Sequence, residues 1–264
     1  MAYQTGNIRY RGSFKSIRHW NNAHDNKTYA GEKGGASRDE ILNNPVFART
    51  RENMMEFEGC ARIVKAIRRG LYNLIPEHTD THFTSRLVAL VKMINLKDDA
   101  GVRGKRAFSF SLNRPILRIL TFHEKKKIDH QLRRSISTSH PESRAEVTIR
   151  VNGLNPDPQL VPASAQFYRV IIHISTISDR VYDENVQRYE PLSPADTMNA
   201  IAYSDYTAVN TPLNATLKAM FPEGTMLDET ATVLQCVGIE FYIRSGTGEY
   251  LRFSEGSMLV FDVF

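Results

Sequence analysis

Two cysteines are all this chain holds, too few for a disulfide framework. Cys60 falls in a helical pattern and Cys236 in a strand pattern, each among apolar neighbours, so two buried thiols are expected rather than a bridge. No apolar run reaches the ~18 residues that a membrane-spanning helix needs, and the opening Met1-Ala2-Tyr3-Gln4-Thr5-Gly6 lacks the apolar stretch of a signal peptide. The expectation is a cytoplasmic protein with no membrane partner, or one exported without a cleaved signal. Motifs of common chemistries are also missing. There is no His-Glu-x-x-His, and neither cysteine neighbours a histidine in sequence. No Gly-x-Ser-x-Gly appears, and the glycine-rich stretch 31–35 lacks the Lys-Ser/Thr of a phosphate loop. The eight histidines do not gather: His19/His24, His78/His82 and His123/His130 are scattered pairs, and His78 and His82 could face one side of a helix, but a metal site would need more ligands nearby. Paired acids at Asp98-Asp99 and Asp183-Glu184 read as solvated loop residues. No enzyme activity, cofactor or metal is therefore expected.

What is present is charge, unevenly placed. Residues 1–150 carry 28 Lys+Arg against 15 Asp+Glu, and residues 151–264 carry 6 against 14. Such asymmetry speaks of partners more than of fold. It suits a nucleic-acid-binding arm on a neutral body, or head-to-tail association of basic and acidic faces.

Periodicity divides the chain into three regions. Residues 1–36 form a polar, basic, glycine-punctuated segment that reads either as a hairpin or as an arm that orders on a neighbour. Residues 37–106 are helical. Ser37 and Glu40 match a capping box, and Asn43-Asn44-Pro45 ends that helix. A second helix over 46–74 places Phe57, Cys60, Val64, Ile67 and Leu71 on one stripe, and a third over 79–96 places Phe83, Leu87, Leu90 and Ile94 on one face. The two long helices are expected to pack antiparallel. Residues 107–264 are β-rich. Residues 107–111 alternate as a strand does, 114–122 are of uncertain type, and 146–151 and 167–175 are strand patterns. Residues 183–230 are loop-rich, with Asn214 to Phe221 read as a helical turn or two. Strands are expected at 232–244, at 249–253 beyond the Ser245-Gly246-Thr247-Gly248 turn, and at 258–263. The order predicts an α+β fold: an N-terminal arm and an antiparallel helix pair, then a mostly antiparallel β-sandwich or half-barrel.

The run Glu32-Lys33-Gly34-Gly35, then Pro45, Phe47 and Arg49-Thr50-Arg51-Glu52-Asn53, with Val237-Gly238-Ile239-Glu240-Phe241-Tyr242 near the end, resembles an uncharacterised family of proteins associated with the Bacteroidetes. Arg11-Gly12 stands where that pattern has Lys-Gly, and the middle of the chain has no counterpart. The resemblance implies no activity.

Two non-enzymatic functions remain. In the first, the chain is a self-assembling structural subunit of a tube, filament or shell, joined to copies of itself by complementary charge. Arg9, Tyr10, Arg11, Phe14, Lys15, Ile17, Arg18 and Trp20 of the arm, with Arg49, Arg51 and Glu52, would make those contacts, since aromatic and Arg side chains anchor interfaces. In the second, the basic clusters Arg103, Lys105, Arg106, Lys125, Lys126, Lys127, Arg133 and Arg134 track a nucleic-acid backbone, with Phe108, Phe110 and Phe122 near enough in sequence to stack on bases. Those phenylalanines also alternate as core residues do, and no helix-turn-helix, zinc-finger or RNP signature accompanies them.

Overall fold

Ser37 fixes where the first helix begins. Its hydroxyl accepts from the Glu40 N–H at 3.2 Å, and the Glu40 carboxylate accepts from the Ser37 N–H at 2.6 Å, the reciprocal capping box expected. The computed structural model describes all residues except 1, 6–8, 125–128 and 254–255, and the chain divides into two compact units, residues 1–51 and 52–264.

The first unit holds strands β1 (Ala2–Tyr3), β2 (Gly12–Phe14), β3 (Ile17–Asn22) and β4 (Lys27–Glu32), all antiparallel in the order β1-β4-β3-β2. Lys15 (φ 52) and Asn26 (φ 54) supply the left-handed residues that the β2–β3 and β3–β4 hairpin turns need. Helix α1 (Arg38–Asn43) follows. Asn44 then caps a 3-10 turn, Pro45–Phe47, accepting from the Val46 N–H at 3.0 Å with Pro45 in the first turn.

Helix α2 (Ala48–Gly70) leads into the second unit, followed by α3 (Ile75–His78), α4 (Phe83–Asn95), α5 (Arg114–Arg118) and α6 (Asp129–Ser135). The strands are β5 (Ile136–Ser139), β6 (Glu146–Leu154), β7 (Phe167–Ser178), the hairpin β8 (Arg180–Asp183) and β9 (Arg188–Pro191), β10 (Asn199–Tyr203), β11 (Thr207–Ala208), β12 (Leu213–Met220), β13 (Ala231–Arg244), β14 (Tyr250–Arg252) and β15 (Ser257–Val263). The central sheet runs β10-β7-β13-β14, with β11 on β7 and β15 on β13. A second sheet runs β12-β6-β5, and every pairing is antiparallel. The fold is α+β, with a sandwich-like pair of sheets.

Strands β7 and β13 are buried along most of their length, because each face of the central sheet meets a different layer. One face packs Ile171, Ile177, Leu234 and Cys236 against Ile63, Ile67, Leu87 and Val91 of the helices. The other packs Val170, Ile172, Val237 and Phe241 against Val147, Ile149 and Leu217 of the second sheet. Both parities of β7 are apolar, as a strand covered on both sides requires. Cys60 and Cys236 are both buried free thiols.

Three local expectations are corrected. Phe57 is 60 % exposed, and Ile63, at 0 %, takes its place on the buried stripe of α2. Residues 214–221 are not helical. Leu213, Leu217 and Ala219 point inward and Asn214, Lys218 and Met220 outward, a period of two that pairs β12 with β6. Residues 107–111 form an isolated bridge from Phe108 to Arg180 rather than a strand, although Phe108 and Phe110 are fully buried. Among the described residues no helix is long and apolar enough to cross a membrane.

Candidate functional site

The expected self-association residues of the first unit fall on two faces of its sheet. Cross-strand partners share a face, so the register Tyr3↔Tyr29↔Trp20 builds one aromatic row. Trp20 stacks on Tyr29 with centroids 6.0 Å apart, and Lys27 lies 5.2 Å over the Tyr3 ring. Arg18, two residues from Trp20, shares that face. The opposite face carries the pair Phe14↔Ile17, and His19, with Tyr10 6.2 Å from its ring. Arg9, Arg11, Lys15 and Arg18 are exposed. Among the described residues of the unit only Thr28 is buried. Phe14 is 71 % exposed, Tyr10 65 % and Tyr3 55 %.

The Arg49-to-Asn53 run is engaged locally. Arg51 donates to the Ile41 carbonyl at 2.7 Å and the Asn44 carbonyl at 2.9 Å, closing the C-terminal end of α1. Glu52 lies 3.5 Å from Arg103, which also donates to Asn53. Arg49 too has an interaction partner. The basic cluster expected to meet nucleic acid is dispersed. Arg103 is held by Glu52, Lys105 by Glu184 at 2.5 Å, and Arg106 lies 3.8 Å from Glu56. Arg133 donates to the Val260 and Phe261 carbonyls at 3.0 Å. Arg134 lies in the last turn of α6, and Lys125, Lys126 and Lys127 lie outside the described residues. Phe108, Phe110 and Phe122 are core, so they are not available to stack on bases.

The charge split is largely resolved inside the second unit. Lys105–Glu184 and Arg118–Asp262 join a cation before residue 150 to a carboxylate after it, whereas Glu77–Arg252 and Glu146–Lys218 cross the same boundary with the signs reversed, so the balance shows in the residue counts rather than in the direction of these pairs. Residues 52–264 carry 25 Lys+Arg and 25 Asp+Glu, whereas residues 1–51 carry 9 against 4. The whole net charge of +5 therefore resides in the first unit.

The densest polar network was not legible in the sequence. Glu240 sits in β13 with its side chain 4 % exposed. Its Oε1 meets His78 Nε2 and Arg252 Nη1, each at 3.1 Å, and its Oε2 accepts from Arg169 Nε at 2.9 Å and the Tyr242 hydroxyl at 2.5 Å. Burial alone would raise the carboxyl, but the His78 and Tyr242 bonds with the His78 and Arg169 charges hold it down at about 2. Arg169 lies over Tyr203 at 3.9 Å and near Tyr242 and Tyr206. Four donors on one carboxylate tie α3 to β7, β13 and β14, which suits a clamp better than a nucleophile. Glu56 is a smaller node of the same kind, taking Lys92 and the Gly104 N–H. The only sequence signal for Glu240 is a lone charge within an apolar strand run.

His78 ends α3 and His82 precedes α4, so they do not share a helix face. Among the described residues no group of three or more His, Cys, Asp or Glu is placed to hold a metal. No known protein family, curated protein or solved structure matches the chain.

Proposed function

We propose that the chain is a non-enzymatic, self-assembling structural subunit whose first unit docks on another copy. The observation that carries this reading is a four-stranded sheet with almost nothing buried. A sheet this small gains stability by covering an apolar face, and an uncovered one is marginal in water. Phe14, Ile17 and Tyr10 offer such a face, and the short edge strands β1 and β2 leave backbone groups open to pairing. Two free, buried thiols fit a cytoplasmic setting. The head-to-tail charge argument contributes less than the sequence suggested, because the two halves compensate one another within residues 52–264.

Light scattering should show assemblies that grow with protein concentration. Phe14→Asp with Ile17→Asp should abolish them while leaving the far-ultraviolet circular dichroism of the helices unchanged, whereas Trp20, the only tryptophan, lies on the opposite face of the sheet and its emission should be insensitive to this docking. A monomer at every concentration refutes the proposal.

The aromatic row favours a second reading, nucleic-acid binding by the opposite face. Tyr3, Tyr29 and Trp20 beside Lys27 and Arg18 combine stacking surface with cations. Here an oligonucleotide should quench Trp20 at fixed protein concentration, with an affinity that falls as salt rises.

A further inference from the structure

We propose that a groove along α2 binds a small polyphosphorylated molecule. The groove encloses about 620 Å³ and lies wholly within the second unit. One wall is α2, which presents Arg62, Lys65 and Arg69. Their spacing of three and four residues puts them on one stripe, about 10 Å long at the helical rise per residue. The other wall brings Arg180 from β8 and the residues just before β10. Ala61 and Ala66 leave room between the cations.

The charges do not cancel. Two carboxylates line the groove, Glu58 and Asp196. Glu58 is taken by Arg62 at 2.8 Å on the exposed helix surface, and Asp196 by Arg180. Lys65 and Arg69 have no carboxylate partner among the described residues, so two cations are left over for a ligand.

Two further features set this wall apart. The Arg180 side chain is only 9 % exposed, yet its Nε hydrogen has no partner. A buried donor without an acceptor is costly and rare in a folded chain. Beside it, Thr197 adopts φ 64. A β-branched residue in the left-handed region is an outlier, and such strain collects at binding sites. The turn is pinned by the Thr197 N–H donating to the Thr176 carbonyl at 3.1 Å and the Met198 N–H donating to the Thr176 hydroxyl at 2.9 Å.

Of the two cations left over, Arg69 carries a planar fork that matches the oxygens of a phosphate group, and Lys65 adds a point charge beside it. Among the described residues no aromatic side chain lines the groove itself, so a nucleobase seated in it would find nothing to stack on. That favours a compact polyphosphate-bearing molecule over a nucleic-acid strand. The inference does not depend on self-assembly.

The test is calorimetric titration of the full chain with inorganic tripolyphosphate. Saturable binding at one site per chain is expected, weakening as salt rises. Lys65→Ala with Arg69→Ala should weaken it at least tenfold without moving the melting temperature of the free protein, since both residues are exposed. Arg180→Lys keeps the charge but loses the fork, and should weaken binding too. The proposal is overturned if tripolyphosphate does not saturate, or if the double variant binds it as tightly as the parent. It is equally overturned if a mixed-sequence oligonucleotide binds through Lys65 and Arg69 and tripolyphosphate cannot displace it.

Discussion

Replacing Gly59 with Ala should destabilise the protein, against the ordinary rule for helices. Gly59 lies inside α2, where glycine is less favourable than alanine by about 0.5–1 kcal/mol. On propensity alone the variant would be more stable. A Cβ at this position, however, would sit 2.5 Å from Tyr189 Cδ2 and 2.6 Å from Cε2, with Phe108 Cε2 at 3.1 Å. The Tyr189 ring cannot readily swing aside. It packs edge-on against Phe108 at 4.9 Å and Tyr182 at 5.4 Å, and its hydroxyl donates to the Gly104 carbonyl at 3.1 Å. Forcing an extra methyl into a filled core costs about 1–3 kcal/mol. With the ring held on three sides the overpacking cost falls in the upper part of that range and outweighs propensity, leaving a net loss of about 1 kcal/mol or more, up to about 2.5 kcal/mol. In a unit of this size each kcal/mol lowers the melting temperature by about 2–4 °C. Thermal unfolding followed by near-ultraviolet circular dichroism of the tyrosines measures it. Combining Gly59→Ala with Tyr189→Ala should cost less than the sum of the two single changes, because the second removes the ring that the first strikes. A Gly59→Ala variant as stable as the parent would refute the close packing of α2 on the β8–β9 hairpin.

Other outcomes follow from burial. Ile63→Ala should cost about 2–5 kcal/mol in chemical denaturation and Phe57→Ala almost nothing, since the first is fully buried and the second 60 % exposed; equal losses would restore the original stripe. His173 is fully buried with neither ring nitrogen partnered, and burial pushes it down from 6.5 to about 4. Between those values the unfolded chain binds the extra proton, so stability is complete above pH 6.5 and falls by roughly 3 kcal/mol as the pH drops towards 4. His173→Leu should flatten that slope and leave stability at neutral pH equal or higher; an unchanged slope would show that other groups set it.

Much of the scaffold could be read from short stretches of chain. The Ser37–Glu40 capping box, the Asn44-Pro45 break, the β13–β14 turn and the buried faces of α4 and β7 depend on neighbours within a turn or a strand, and local chemistry determined them. Asn214 to Phe221 is ambiguous in sequence because eight residues with two small alanines fit both periods, and only pairing with β6 selects a strand. Phe57 and Ile63 both satisfy a helical stripe, and the layer beneath α2 chose between them. The charge split showed the same limit: composition exposed it, but only packing showed that residues 52–150 and 151–264 neutralise one another and leave the excess on residues 1–51. His78 and Glu240 meet across 162 residues of sequence, and Arg69 and Arg180 line one groove from separate elements. Periodicity and capping act over a few residues, whereas a buried ion network or a binding groove is made by distant segments brought together. The sequence therefore determined the long helices, the main strands and the Ser37 cap, and tertiary packing decided the β12 strand, the buried stripe of α2, and which charges were used up and which were left facing solvent.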